Sequence, residues 1–223
     1  MKIIAYKNQL YNDLVFLDNI QKKEYIHGIM LNITSTKDHV IVAFNENILN
    51  TISLETIQNS LFKDLQYESI MELKYILNSY QYINKNIYLK ISSLVLPILT
   101  ESTHKEILLK NTNYIQDILN TIKNYTFLPL TFYSSNKDLM NQLKQENIPF
   151  PIGLELSYDD LSFIDLDFYI LLPNMYNPEI LQELLLKNKK IIFNTVSEKN
   201  ISLFYEIHQK DPLKKEDFDK LYF

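Results

Sequence analysis

Short apolar runs alternate along this chain with longer amphipathic stretches, and that rhythm leaves few architectures open. Runs rich in Ile, Val, Tyr and Phe fall at Lys2–Tyr6, Ile26–Ile33, His39–Phe44, Asn86–Ile91, Leu128–Tyr133, Pro151–Leu154, Asp167–Leu171 and Lys190–Thr195. Continuous apolar runs of this kind suit strands buried on both faces. The stretches between them repeat Ile and Leu at three- and four-residue steps, as amphipathic helices do. Ser69–Tyr80 aligns Ile70, Leu73, Ile76 and Leu77, and Lys105–Tyr125 continues the pattern longest. Ser135–Gln145 carries Leu139 and Leu143; Pro178–Lys187 carries Ile180, Leu181, Leu184 and Leu185; Ser197–His208 carries Ile201, Phe204 and Tyr205. Strands mostly followed by helices predict a parallel sheet. At 223 residues, closure into one (β/α)8 barrel domain over residues 1–223 is the expected architecture. Thr34–Asp38, between the second and third runs, is too short for a crossover helix. Those two strands are expected to pair antiparallel, or one of them lies outside the regular pattern.

Local signals agree with these elements. Asn177 before Pro178, Ser135 or Asn136, and Ser197 with Glu198 are N-cap signatures. Asn124, Asn147 and Asn188 stand where helices commonly end on Gly, and Asn is the next residue able to turn left-handed. The tail after Pro212 is expected to be a surface helix ending in Leu221, Tyr222 and Phe223.

Composition narrows the chemistry. All 22 cations are Lys, against 27 acidic residues, giving a net charge of −5; Arg, Cys and Trp are absent and Gly occurs twice. Without Cys there is no disulfide, thiolate metal site or thiol nucleophile. Gly28 and Gly153 alone cannot write a Gly-rich phosphate loop. An acidic chain without Arg is a poor nucleic-acid binder. No apolar run approaches the ~20 residues of a membrane span, and Met1–Ala5 is too short for a signal peptide. These features predict a soluble, cytoplasmic chain, and the Lys, Asn, Ile and Tyr bias is that of an AT-rich bacterial genome.

A barrel keeps its reactive groups where strands end. Those ends supply Tyr6, Lys7, Asn32, Thr34, Asn45, Glu46, Lys90, Ser92, Tyr133, Ser134, Glu155, Asn174, Asn194 and Thr195. The rim is polar but mostly neutral, and its carboxylates are Glu46 and Glu155. A hard divalent cation wants several oxygens with carboxylates close together, and these two are expected to face each other across the barrel. His27 and His39 open strands, whereas His104 and His208 fall in helical patterns, so no His is expected to shuttle protons. Lys90 alternates with Tyr88 and Ser92, which aims it inward. A buried ammonium needs a partner or water; the contrary reading is a Lys at a strand end reaching solvent.

The segment from Gly28 through Met30, Asn32, Thr36, Asp38 and Val42 to Phe44, Asn45 and Glu46 resembles the glycerophosphodiester phosphodiesterase family. That family's pattern here is Gly-x-Glu-x-Asp-Val-x-x-Thr-x-Asp-Gly-x-x-Val-x-x-His-Asp. Weaker similarities follow in order at Thr51–Ile57, Tyr67–Leu77, Asn86–Ser92 and Phe193–Ser197. The resemblance implies a TIM barrel in which two His act as acid and base, carboxylates on strands two and four hold a divalent cation, and a basic pair binds phosphate. This chain departs at nearly every such position. The family's His-Arg falls on Tyr6 and Lys7, and its strand-two carboxylates fall on Met30 and Asn32. Its His-Asp falls on Phe44 and Asn45, its strand-four Glu and Lys on Lys90 and Ser92, and its strand-eight Trp on Asn194.

Three functional expectations follow. The first is a barrel with no catalytic or metal-holding residues and no cofactor, retained to bind a small anionic or phosphate-containing ligand. Lys7, Asn32, Asn45, Glu46, Lys90, Ser92 and Asn194 are its candidate ligand-binding residues, with the Lys90 charge in the family's metal position, bonded to Asn32, Asn45 or Glu46. The second is a divergent phosphodiester hydrolase of lipid metabolism, with Glu46 or Glu155 as base and Lys7 and Lys90 as clamps. An interaction module, binding a protein partner or its own copy through an apolar patch around Leu221–Phe223, is the third reading.

Overall fold

Backbone hydrogen bonds join the strands of this chain into a closed ring. The computed structural model describes residues 2–7, 26–44, 46–65, 69–80, 85–94, 104–156, 164–171, 182–184, 186–198 and 201–207. Its strands are β1 (Lys2–Lys7), β2 (Ile26–Ser35), β3 (Ile41–Phe44), β4 (Ile70–Glu72), β5 (Asn86–Ile91), β6 (Leu130–Ser134), β7 (Ile152–Glu155), β8 (Phe168–Leu171), β9 (Lys190–Glu198) and β10 (Ile201–Ile207). The ring runs β1, β2, β5, β6, β7, β8, β9, β10 and back to β1. Every pairing from β1 round to β9 is parallel, while β10 is antiparallel to both neighbours. This is a (β/α)8-type barrel whose eighth place is filled by a reversed strand.

Two elements differ from the sequence expectation, the Ser197–His208 and Ser69–Tyr80 helix patterns, while the β2–β3 link takes the form expected of it. Ser197–His208, expected to be a helix, is strand from Ile201 to Ile207. The chain returns directly on β9, with Ile201 opposite Glu198 and Leu203 opposite Thr195. The expected third strand lies outside the ring: β3 pairs antiparallel with the end of β2, Asn32 opposite Phe44 and Ser35 opposite Ile41. The short Thr34–Asp38 link foretold that hairpin. β4 extends it, so the first part of the Ser69–Tyr80 helix pattern is strand and the helix begins at Leu73. The tail beyond Ile207 and half of Pro178–Lys187 lie outside the described residues.

The helices among the described residues include α1 (Leu54–Asn59), α2 (Leu73–Tyr80), α3 (His104–Ile122) and α4 (Lys137–Gln145). Asn136 caps α4, its side-chain oxygen accepting the Leu139 N–H at 3.0 Å. Ser53 caps α1 in the same way through Thr56 N–H at 3.1 Å. Asn147 (φ 50°) and Asn188 (φ 57°) take the left-handed turns expected of them; Asn124 does not.

Period-two alternation divides the strand side chains between two cores. Ile29, Ile33, Leu89, Phe132, Leu154 and Ile191 face outward, against Leu73 and Ile76 of α2, Tyr114 and Ile118 of α3, and Leu139 and Leu143 of α4. Met30, Tyr88, Tyr133, Phe168, Ile170 and Ile192 fill the interior. Both glycines serve that filling. A Cβ on Gly153 would sit 2.3 Å from the Phe168 ring, and one on Gly28 would sit 3.0 Å from Tyr88 Cε2. The two rings meet edge to face, with centroids 6.4 Å apart. Gly153 thus stands where a neighbouring aromatic ring needs the space of a side chain, and Gly28 where the Asn86 backbone oxygen, 2.9 Å from such a Cβ, and the Tyr88 ring both approach.

Candidate functional site

Above this apolar layer, the strand ends bring one charged pair into the barrel. Asn32, Lys90, Tyr133 and Gly153 are register partners across β2, β5, β6 and β7. Glu155 stands two residues beyond Gly153 on the same face of β7. Lys90 Nζ donates to both carboxylate oxygens of Glu155, at 2.9 Å and 3.0 Å. β6 separates the two strands, so the side chains reach over the Tyr133 strand to meet. The Lys90 side chain is 25% exposed and that of Glu155 11%. Burying either charge alone would be costly, and each removes that cost for the other.

Lys90 therefore points inward as its alternation predicted, but its partner is Glu155, not Asn32, Asn45 or Glu46. Glu46 opens a 3-10 turn, Glu46–Asn50, after β3 and is exposed. The two glutamates do not face each other across the barrel, because β3 is not in the ring. Phe44 is buried in a separate cluster of the β3–β4 flap with Val42, Ile48, Ile57, Leu65 and Ile70. Met30 lies in the interior apolar layer and Asn32 is buried beside Lys90. Ser92 is half-buried just past β5, its N–H bonded to Ile33 O at 3.0 Å. On β1, the backbone of Tyr6 pairs with Met30 and Ser202, and that of Lys7 with Ile201. Asn194 pairs with Phe204 through the backbone. The side chains of Tyr6, Lys7 and Asn194, and all of Asn45, lie outside the described residues.

The donor set does not fit the divalent cation that the family pattern implies. Thioether, amide and ammonium stand at Met30, Asn32 and Lys90, and Glu155, the nearby carboxylate, is held by an ammonium. A hard cation at that point would meet a positive charge before it met a second carboxylate. Among the described residues, no group of three or more His, Cys, Asp or Glu could hold a metal ion. His27 and His39 are exposed, both away from the Lys90 pair in sequence and on β2 or its turn.

A second polar cluster, unforeseen from the sequence, lies on the barrel flank, where the β2–β3 turn meets α3. His39 Nδ1 is 2.8 Å from Asp117 Oδ2 of α3, and Ser35 Oγ donates to the same oxygen at 3.4 Å. Thr36 Oγ1 donates to Asp38 Oδ1 at 2.7 Å and Phe62 N–H donates to it at 2.9 Å. The Thr36 bond, chiefly, holds the Asp38 carboxyl below its ordinary pKa. Gln58 Nε2 bridges Thr34 Oγ1 and Ser93 O, at 2.9 Å and 3.1 Å. Tyr114 donates its hydroxyl to Ile33 O at 3.1 Å, and burial pushes its pKa up. Ser35, Thr36, His39, Gln58, Tyr114 and Asp117 of this cluster line a cavity of about 210 Å³. The one sequence signal for it was His39 itself, a bulky residue where a tight turn favours Gly or Asn.

A barrel of this topology belongs to the TIM-type class. Solved structures it is similar to include phosphodiesterases, several of them glycerophosphodiester phosphodiesterases, as the segment from Gly28 to Glu46 suggested. One is an Oleispira antarctica phosphodiesterase in complex with its product sn-glycerol-3-phosphate, with TM-score 0.67, 13% identity, and 87% of this chain and 84% of that chain covered. Another is the glycerophosphodiester phosphodiesterase of Parabacteroides distasonis, with TM-score 0.65, 14% identity, and coverage of 87% and 85%. A curated relative is a protein of Acanthamoeba polyphaga mimivirus named for ankyrin repeats, 24% identical over 233 residues. The match covers 92% of this chain but 28% of that protein, so the chain spans about a quarter of its relative's length. That relative is viral, and the bacterial origin inferred from composition gains no support from it. No family model matches the chain. Among the described residues, no helix is long and apolar enough to cross a membrane.

Proposed function

We propose that this chain is a glycerophosphodiester phosphodiesterase-like barrel that has lost the family's hydrolytic chemistry and serves to bind a small anionic, phosphate-containing ligand or a partner. The observation that carries this reading is the Lys90–Glu155 pair. It puts an ammonium where the resemblance calls for a metal-holding carboxylate, and it uses the neighbouring carboxylate to neutralise that ammonium. Hydrolysis of a phosphodiester needs a positive centre for the developing charge and groups that move protons. Here the positive centre is already compensated, and Tyr6, Lys7, Phe44 and Asn45 replace the acid and base. That a barrel of the same fold holds sn-glycerol-3-phosphate supports a phosphate-containing ligand for this one. Lys7, Asn32, Ser92 and Asn194 are the further residues we assign to its mouth.

The alternative, an active divergent phosphodiester hydrolase with Glu155 as base and Lys90 as phosphate clamp, would require the two groups to act apart. Their bidentate contact argues against it. The deciding assay is hydrolysis of glycerophosphocholine and of a chromogenic phosphodiester with Mg²⁺, Ca²⁺ or Mn²⁺ supplied. The expected result is no turnover above that of the metal ions alone. Turnover that disappears in Lys90→Ala or Glu155→Gln would overturn the proposal.

A further inference from the structure

We propose that the cavity between the β2–β3 turn and α3 is a binding site for a small phosphate monoester or inorganic phosphate, separate from the barrel mouth and independent of the reading given above. Its walls are cross-linked before any ligand arrives. Ser35 and His39 both bond Asp117, Gln58 ties α1 to Thr34 and Ser93, and Tyr114 is fixed to Ile33 O. Four further lining residues have no hydrogen bond or ion pair among the described residues: the ammonium groups of Lys37 and Lys110 and the side-chain amides of Asn59 and Asn113. The cavity thus has cross-linked walls rimmed by four exposed donors that make no bond to the described residues.

Charge and size point to the same ligand. Lys37 and Lys110 contribute two positive charges, and the one carboxylate, Asp117, is engaged by His39 and Ser35. This stands out in a chain of net charge −5. A phosphate monoester near neutral pH carries about −1.5 to −2 charges and several strong acceptor oxygens. The volume of about 210 Å³ equals roughly seven liquid-water volumes, room for a phosphate and a few attached atoms. Two amides beside the lysines suit hydroxyl groups on the remainder of such a ligand.

The backbone adds an independent argument. His39 (φ 63°) joins Asn147 and Asn188 as the non-glycine residues at positive φ among those described. The two Asn are ordinary left-handed turn residues, whereas His39 brings a ring that reaches α3, 78 residues away. A turn alone would favour Asn or Gly there. The contact of Nδ1 with Asp117 sets the ring orientation against α3.

The test is a titration of the whole chain with inorganic phosphate and with glucose 6-phosphate, followed by backbone amide NMR and calorimetry at fixed ionic strength. Chloride and sulfate serve as controls. Saturable shifts centred on Lys37, His39, Asn113 and Tyr114 are expected, with binding weakened about tenfold in each of Lys37→Ala and Lys110→Ala, the size of a lost charge-assisted hydrogen bond. His39→Asn tolerates the positive φ and should weaken binding severalfold without lowering thermal stability by more than a few degrees. Lys90→Met should leave this binding unchanged. Shifts that survive the double substitution of Lys37 and Lys110, that are lost in Lys90→Met, or that chloride reproduces would each overturn the proposal.

Discussion

Removing one partner of the Lys90–Glu155 pair should cost far more stability than removing both. At about 3 Å and an effective permittivity of ~20, the attraction between unit charges is roughly 5 kcal/mol. Desolvation of both groups offsets most of it. Breaking a fully buried pair from one side costs roughly 3–5 kcal/mol, and the residual exposure of 25% for Lys90 and 11% for Glu155 reduces that cost. The expected losses are therefore about 1–3 kcal/mol for Lys90→Met and for Glu155→Gln. Glu155→Gln should be the milder, because an amide oxygen still accepts from the ammonium. The double variant Lys90→Met/Glu155→Leu should lie within about 1 kcal/mol of the parent, since well-packed apolar groups often replace a buried pair without loss. Urea unfolding of the parent, Lys90→Met, Glu155→Leu and the double variant, treated as a double-mutant cycle, measures the coupling directly. A coupling below about 0.3 kcal/mol would mean that water, not the partner, satisfies these charges. The claim that the pair occupies the barrel mouth would then be untenable.

Other consequences can be checked more simply. Gly153→Ala forces a methyl toward the Phe168 ring, 2.3 Å away, and should destabilise the protein by about 1–3 kcal/mol in thermal or urea melts, with partial recovery in Gly153→Ala/Phe168→Leu. Asn136→Ala removes the acceptor for Leu139 N–H and should cost about 1 kcal/mol, read from the same melts. Asp38 titrates below its ordinary value in the folded state, so it contributes stability above that ordinary value and loses it as pH falls through the lowered one. Thr36→Val, which deletes the main cause, should move the Asp38 carboxyl resonance midpoint upward in a ¹³C NMR titration; an unchanged midpoint would refute the assignment.

Sequence patterning reached the barrel but misread its closing strand. In Ile201-Ser202-Leu203-Phe204-Tyr205-Glu206-Ile207, Ile201, Phe204 and Tyr205 satisfy helical spacing, while Ile201, Leu203, Tyr205 and Ile207 alternate as in a strand. A seven-residue window supports both periods. Tertiary structure decides between them, because β1 and β9 each offer an edge that this segment alone fills. The β2–β3 hairpin was legible for the opposite reason: a link as short as Thr34–Asp38 excludes a parallel crossover whatever the rest of the chain does.

The barrel mouth was half legible, and the division follows from how far each inference must travel. That Lys90 faces inward depends on parity within one strand, which Tyr88 and Ser92 display beside it. Which carboxylate meets it depends on the stagger between strands and on which strands belong to the ring. Glu46 and Glu155 had equal chemical claims as residues at strand ends. Glu155 prevails because β7 lies two places from β5 in the ring, with Tyr133 of β6 and Gly153 marking the register between them. Glu46 is excluded because β3 leaves the ring as a flap and carries Phe44 into a core of its own. Residues 65 apart in sequence meet here through two backbone registers, β5 on β6 and β6 on β7, and no single segment of the chain encodes that sum. The same holds on the flank, where His39 finds Asp117 only after the hairpin and α3 are both in place. A local anomaly such as a His in a left-handed turn is therefore the most that a sequence can show of such a site, and its partner must be sought in three dimensions.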